Sequence, residues 1–234
     1  MKTIKLKFIG LCLTLFLALP CQAQLGEERH NLAVGVNGGI NMSQVDFMPK
    51  IKQSSHNGMS LGVTARYMCE KYFNMLCGIQ AEINYSQRGW TEKIEDGSEN
   101  SYDRTMNYLE IPLLAHLAFG KDALDKGMRF FVNAGPQFSM FLSESENMSD
   151  NWDTSKRPNG VIQQYGKKVE NNFDYGITGG AGMELSTKVG HFLLEGRYYY
   201  GLSDIFHNSK TEDFGRSANT TIVTRIGYSI AIFK

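Results

Sequence analysis

His116 and Glu110 are the residues whose types first suggest chemistry, an imidazole and a carboxylate within one stretch, Asn107–Phe119 (NYLEIPLLAHLAF). A histidine working on a serine, or oriented by a carboxylate, is a general base. That pairing would make the chain a lipid- or protein-modifying enzyme. The spacing does not set it up, because Glu110 lies nearer the opposite end of the stretch. His30, His56, His191 and His207 fall in terminal or connecting segments and show no ligand spacing. The Gly38-Gly39 and Gly179–Gly182 runs sit inside apolar-periodic segments rather than between a strand and a helix, so they fail as phosphate cradles. There glycine more simply relieves crowding or permits a bend.

Two further groups carry reactive side chains. Cys69 and Cys77 flank a short turn and could either pair in an oxidising compartment or remain free thiols. No metal motif can be built from them. The segment 143–172 is long and polar; it carries Glu144, Glu146, Asp150 and Asp153 in its first half, with Trp152 among them. It is the candidate binding loop, with Asp150, Trp152 and Asp153 as its candidate residues. Its acids could attract a cation, but their spacing matches no calcium loop.

The elements that position these groups are strands. In Asn107–Phe119 every second residue is apolar (Leu109, Ile111, Leu113, Ala115, Leu117, Phe119), and the alternate set holds Tyr108, Glu110, Pro112 and His116. Period two marks a β-strand with one apolar and one polar face. Pro112 implies an edge or an irregularity. The same alternation runs through Leu32–Met42, Met59–Met68, Phe73–Arg88, Met128–Leu142, Phe173–Leu185, Phe192–Ser203 and Thr220–Phe233. Together with Asn107–Phe119 these make eight strands. Connections near 43–58, 89–106, 143–172 and 204–219 are long; those near 70–71, 120–127 and 186–191 are short. Alternating long and short connections describe an up-and-down barrel with two unlike rims.

Residues 1–23 are expected to be a signal peptide: Lys2, Lys5 and Lys7, then the apolar run Phe8–Leu19, then small residues at Cys21 and Ala23. A lipoprotein reading would acylate Cys21, but Pro20 before it does not suit that processing. Residues 24–234 then form one barrel domain. The precursor has no net charge, and loss of the three leader lysines makes the mature chain mildly acidic. No basic field points to nucleic acid. No apolar run after the leader reaches the ~18 residues of a membrane helix.

Alternation alone fits a water-soluble barrel as well as a membrane one. Lysine decides between them. A water-facing sheet uses Lys freely, yet every lysine after the leader sits in a connection or at the terminus. The polar faces carry arginine and carboxylate instead. Tyr67, Phe73, Tyr85, Phe119, Phe130, Phe138, Phe173, Phe192 and Tyr228 lie toward strand ends, where aromatic girdles meet the membrane interface. The expectation is therefore an all-β, eight-stranded antiparallel up-and-down transmembrane β-barrel with its polar face inward. Its lumen would hold Glu82, Glu110, Asp174, Glu184 and Glu195 against Arg66, Arg88, Arg129, Arg197 and Arg225, with His116 beside them. Five acids and five bases in so narrow a barrel read as an internal ion-pair network.

With these residues identified, Tyr108-Leu109-Glu110-Ile111-Pro112-Leu113, Leu194-Glu195-Gly196-Arg197-Tyr198 and Gly201-Leu202 resemble the PorT-like outer-membrane β-barrel family of Bacteroidetes over the whole mature chain. The resemblance implies an integral outer-membrane barrel of a Gram-negative cell. PorT itself is implicated in protein secretion, so the implied role is a scaffold, binding surface or secretion accessory without catalysis or cofactor. The expected partners are outer-membrane lipid and lipopolysaccharide, the barrel assembly machinery, and secretion or envelope proteins. One departure concerns the end of the chain. Phe233 is followed by Lys234 and falls on the lumen parity, which requires a bulge or an end effect there.

Overall fold

The structure is a computed structural model describing residues 26–95, 97–98, 100–120, 127–154, 161–209 and 212–233. The expected signal peptide, the C-terminal Lys234 and most of the turn near 120–127 lie outside the described residues.

Nine strands follow in order: β1 (Glu27–Met48), β2 (Gln53–Ser54), β3 (His56–Tyr72), β4 (Met75–Glu92), β5 (Tyr102–Gly120), β6 (Gly127–Met148), β7 (Phe173–Ser186), β8 (His191–Asp204) and β9 (Arg216–Phe233). Eight are long. All pairings are antiparallel, and β4–β5 and β1–β9 close the ring of long strands into a barrel. The two-residue β2 pairs only with the outer end of β4. Among the described residues no helix is long and apolar enough to cross a membrane.

The alternation predicts the faces correctly through the middle of each strand. Ile40, Leu61, Ile79, Leu113, Phe130, Ile177, Leu194 and Ile226 are exposed on the outside, while Arg66, Glu82, Glu110, Arg129, Asp174, Glu184, Glu195, Arg197 and Arg225 are buried within. This is an inside-out protein in the sense that matters for a bilayer: apolar surface outside, charge inside. Glycines on the inner face leave room for the large stems beside them. A Cβ on Gly39 would lie 2.3 Å from the Thr224 carbonyl oxygen and 2.6 Å from Arg225 Cβ.

Pro112 is not at an edge, since β5 pairs on both sides, with β4 and with β6. It is an irregularity: the β4–β5 register continues past it unchanged, but the pairing lapses between Leu113 and Glu110. At the C-terminal end the β1–β9 ladder slips by one residue between the pairs Leu32↔Phe233 and Ala33↔Ala231. That shift supplies the irregularity that the parity of Phe233 demands.

The larger difference from the sequence reading is at the long-loop rim. Strands β1, β4, β5, β6 and β9 continue well beyond the apolar belt, and residues 143–148 are strand, not loop. Phe73 is not in a strand either; it occupies the β3–β4 turn with φ 51°. The extended strand ends and the loops above them enclose a second core of Val45, Phe47, Trp90, Tyr102, Met106, Tyr108, Ile205, Phe206 and Phe214. Its rings pack at 5.1 Å for Phe47–Trp90, 5.2 Å for Phe47–Phe214 and 5.3 Å for Phe206–Phe214. Aromatic rings bury more surface per residue than any others, which lets a few loop residues roof the barrel. On β1 the Gln53 side chain replaces a strand partner: its amide donates to the Val45 carbonyl oxygen (2.7 Å) and its carbonyl accepts from Val45 N–H (3.1 Å).

Candidate functional site

The polar face of the barrel gathers into three charged layers along the lumen. The middle layer joins three strands. Glu82 of β4 accepts from both Nη atoms of Arg225 on β9 (2.7 and 2.7 Å) and of Arg197 on β8 (3.1 and 3.0 Å). Glu195 on β8 accepts from the same two arginines, at 3.0 Å from Arg197 and 2.6 Å from Arg225. Forked guanidinium groups facing carboxylates give paired, directional hydrogen bonds.

Toward the long-loop rim, Arg88 of β4 lies between Glu110 (2.5 Å) and Asp174 (2.8 Å). Its guanidinium stacks on Tyr199 (4.2 Å) and Tyr108 (5.1 Å), a cation–π arrangement that replaces lost water. Toward the short-turn rim, Glu184 of β7 receives Arg66 (2.6 Å), Arg129 and His191 (3.1 Å). The ten lumen charges expected from sequence are thus all in contact with opposite charges. Burial of such charges is tolerable only in this state, because an unpaired one is strongly destabilising.

His116 is brought to the lumen but not to Glu110 or a serine. Its Nδ1 lies 2.7 Å from Asn133 Oδ1, and its ring packs against Phe131 at 5.2 Å. Asn133 in turn donates to Glu195 at 2.9 Å. Glu110 is six residues away along the same strand, about 20 Å, and is held by Arg88. The imidazole is a link in the network rather than a base facing a nucleophile.

Two histidines assigned to connections are instead structural members of strands. His191 begins β8, and Ser186 Oγ (2.8 Å) and Glu184 (3.1 Å) meet the same ring nitrogen, Nδ1. A relay needs hydroxyl and carboxylate on opposite nitrogens, so this contact cannot activate the serine. His56 begins β3 and is buried; Nδ1 meets Asp103 (2.8 Å), and Nε2 meets the Thr105 hydroxyl (3.3 Å). Asp103 also accepts from Thr91. These side chains tie β3, β4 and β5 together where β3 leaves the wall. Their order is that of a relay, with the carboxylate on Nδ1 and the hydroxyl on Nε2.

The acidic half of the 143–172 segment is corrected by the structure. A register shift in the β5–β6 ladder leaves Leu142 unpaired between Phe141↔Tyr108 and Ser143↔Asn107. One extra residue reverses the faces beyond it, turning Glu144 and Glu146 inward onto Arg104 (2.6 Å to Glu146). Burial works against the Arg104 charge, but the two carboxylates more than offset it and raise its pKa above the ordinary value. Burial also pushes the Tyr102 phenol up, where it donates to Glu146 at 2.9 Å. Arg104 reaches the backbone carbonyls of Gln164 (3.3 Å) and Lys167. Gln164 accepts from Trp90 Nε1 (2.8 Å) and donates to Glu92 (3.1 Å). Residues 161–169 are therefore fastened across the barrel mouth.

Of the candidate binding-loop residues, Trp152 is partly buried against Tyr102 (5.7 Å) and Tyr165 (4.9 Å), Asp153 is partly buried, and Asp150 is exposed. They do not converge on one point with the other acids, and no group of three metal-ligating side chains occurs among the described residues. Arg104 and the aromatic roof were missed by sequence reasoning. A two-residue alternation continued upward from Tyr108 through Met106, Arg104 and Tyr102 would have placed them inside.

Two lumen spaces, about 20 and 10 Å³, adjoin these layers. Each has room for about one water molecule.

The sequence matches the model of a family described as outer membrane protein beta-barrel domain over residues 22–207. No curated protein matches it. Solved structures with a similar chain path include Ail, the attachment invasion locus protein of Yersinia pestis, in complex with the heparin analogue sucrose octasulfate (13% identity, TM-score 0.37, covering 86% of this chain and 100% of that one). Neisserial surface protein A is similar at 11% identity and TM-score 0.45 (85% and 96%). OprG of Pseudomonas aeruginosa is similar at 12% identity and TM-score 0.44 (88% and 98%).

Proposed function

The chain belongs to the outer membrane protein beta-barrel domain family, and on that premise we propose that it is a sealed, non-catalytic scaffold whose folded outer head is a binding surface. In this reading residues 1–23 are a cleaved signal peptide, and the barrel assembly machinery inserts the mature chain among outer-membrane lipid and lipopolysaccharide. The role is that of a PorT-like accessory to secretion or envelope proteins.

The observation that carries the reading is the double closure of the barrel. Three ion-pair layers fill the lumen, and the Phe47–Trp90–Tyr102–Phe206–Phe214 core roofs its outer mouth. A barrel filled by ion pairs among its described residues and continued into a packed head beyond the apolar belt is built to present that head. The enzyme alternative loses His116, which meets Asn133 and Phe131, and His191, whose contacts fall on one nitrogen, and it rests on the His56–Asp103–Thr105 cluster.

The test is complementation of a deletion strain, read out as the secreted and surface proteome. An Asp150→Ala, Trp152→Ala, Asp153→Ala triple variant should assemble as a heat-modifiable barrel but fail to restore the wild-type profile. Full restoration by that variant would remove the loop from the binding surface. A deletion without any change in either proteome would remove the accessory role.

A further inference from the structure

Cys69 and Cys77 belong neither to the lumen network nor to the outer head, and both are half-buried free thiols in the structure. Their placement follows from a defect in the β3–β4 ladder. The ladder pairs Met68 with Gly78 and then resumes with Glu70 opposite Cys77, leaving Cys69 as the extra residue. In such a bulge two residues oppose one on the partner strand. Glu70 is the direct partner of Cys77, at a strand-pair separation of about 5 Å between Cα atoms, and Cys69 stands beside it in the bulge, which brings the two cysteines near the range that disulfides span. Met68 and Gln80 point into the barrel, so by alternation both thiols sit on the outer face. The two groups are within electrostatic reach of each other. Cys69 Sγ makes a weak contact, 4.0 Å to the Tyr67 carbonyl oxygen. Glu70 and Lys71 follow directly at the hairpin end, which sets the pair at the water boundary rather than deep in lipid.

We propose that Cys69 and Cys77 are oxidised to a disulfide in the cell envelope, a covalent staple across the β3–β4 hairpin. The inference rests on the family's envelope location, an oxidising compartment. The oxidant is a protein disulfide of the thiol–disulfide exchange class. One cysteine thiolate attacks it, forms a mixed disulfide and releases one of its thiols; the second thiolate then displaces the remaining sulfur. One S–S bond forms in the barrel and one is lost from the oxidant. Two electrons pass to the oxidant, which leaves as a dithiol, and two protons leave the cysteines and are taken up by the oxidant's sulfurs.

The experiment uses the full chain in isolated outer membranes. Free thiols are blocked with N-ethylmaleimide, the protein is unfolded in SDS, and a polyethylene-glycol maleimide is added before or after reduction. A stapled barrel should gain two labels only after reduction, at monomer mobility, and the gain should vanish in the Cys69→Ser, Cys77→Ser double variant. A shift that survives in that variant would come from other thiols and would overturn the assignment. Reduction should also lower the temperature at which the folded band converts to the unfolded one. Two thiols already blocked before reduction, or a reduction-sensitive dimer, would overturn the staple. Either result would leave the scaffold reading standing, since that reading is scored on proteome profiles.

Discussion

Glu82 and Glu195 each accept four hydrogen bonds from Arg197 and Arg225, and Glu82 accepts two more from Gln80 and Asn84. Removing Glu82 leaves Arg197 and Arg225 to share Glu195 alone. Glu82→Ala, or Arg197→Ala on the other side of the cluster, should destabilise the barrel by roughly 3–5 kcal/mol, the cost of leaving a buried charge uncompensated. Urea titration in detergent measures this, and an unchanged midpoint would mean that the middle layer is hydrated. His116→Ala removes a neutral hydrogen bond to Asn133 and should cost only ~1 kcal/mol. Neither His116→Ala nor His56→Ala should alter membrane-lipid profiles or extracellular protein processing while the barrel remains folded. A change with His56→Ala would give the His56–Asp103–Thr105 cluster a catalytic role.

A single extra residue in β6 governs an entire element. The bulge at Leu142 reverses the inner and outer faces of 143–148, so that Glu144 and Glu146 meet Arg104, and Arg104 holds the backbone at 164 and 167. Arg104→Ala should release residues 161–169 from the mouth without opening the barrel wall. Limited proteolysis would then cut within 161–172 many times faster than in the wild type, while the folded band on an unheated gel persists. Deleting Leu142 removes the bulge but keeps Ser143 opposite Asn107 and Glu144 opposite Met106, so both glutamates stay inward and the segment should keep its wild-type protection. If Arg104→Ala left this segment fully protected, the aromatic packing of Tyr165 and Trp152 would be holding it.

For the whole molecule the consequence is closure. Eight long strands enclose an interior that side chains can fill, whereas open aqueous channels occur in barrels of about sixteen. Here the filling is doubled, by ion pairs within the wall and by the aromatic roof above it. Purified monomer in planar bilayers should show no steady, weakly selective conductance; large currents would mean the layers do not plug the lumen. In detergent the mature chain should give β-type circular dichroism and migrate faster unheated than boiled. A full-length monomer stable in water without detergent would overturn the lipid-facing assignment of Ile40, Leu61, Ile177 and Ile226.

The barrel was legible from the sequence because its signal is local and repeated. A side chain's face depends on its position modulo two, and eight segments obey that rule. Lysine confined to connections then told lipid from water. The ten lumen charges followed from the same parity. What parity could not supply is anything that depends on register between strands. Which arginine meets which glutamate is set by the stagger of neighbouring strands, so the triple-layer arrangement and the contact of His116 with Asn133 appear only in the closed barrel. Bulges are equally invisible to it, and a one-residue shift exchanges the two faces. For that reason Glu144 and Glu146 read as loop acids and the bulged Cys69 showed no fixed relation to Cys77, whereas His56 and His191 read as connections because they are the first residues of their strands, at ends that alternation does not mark. The roof over the mouth joins residues more than a hundred positions apart, such as Phe47 and Phe206, and such contacts exist only once closure has brought their strands to one rim.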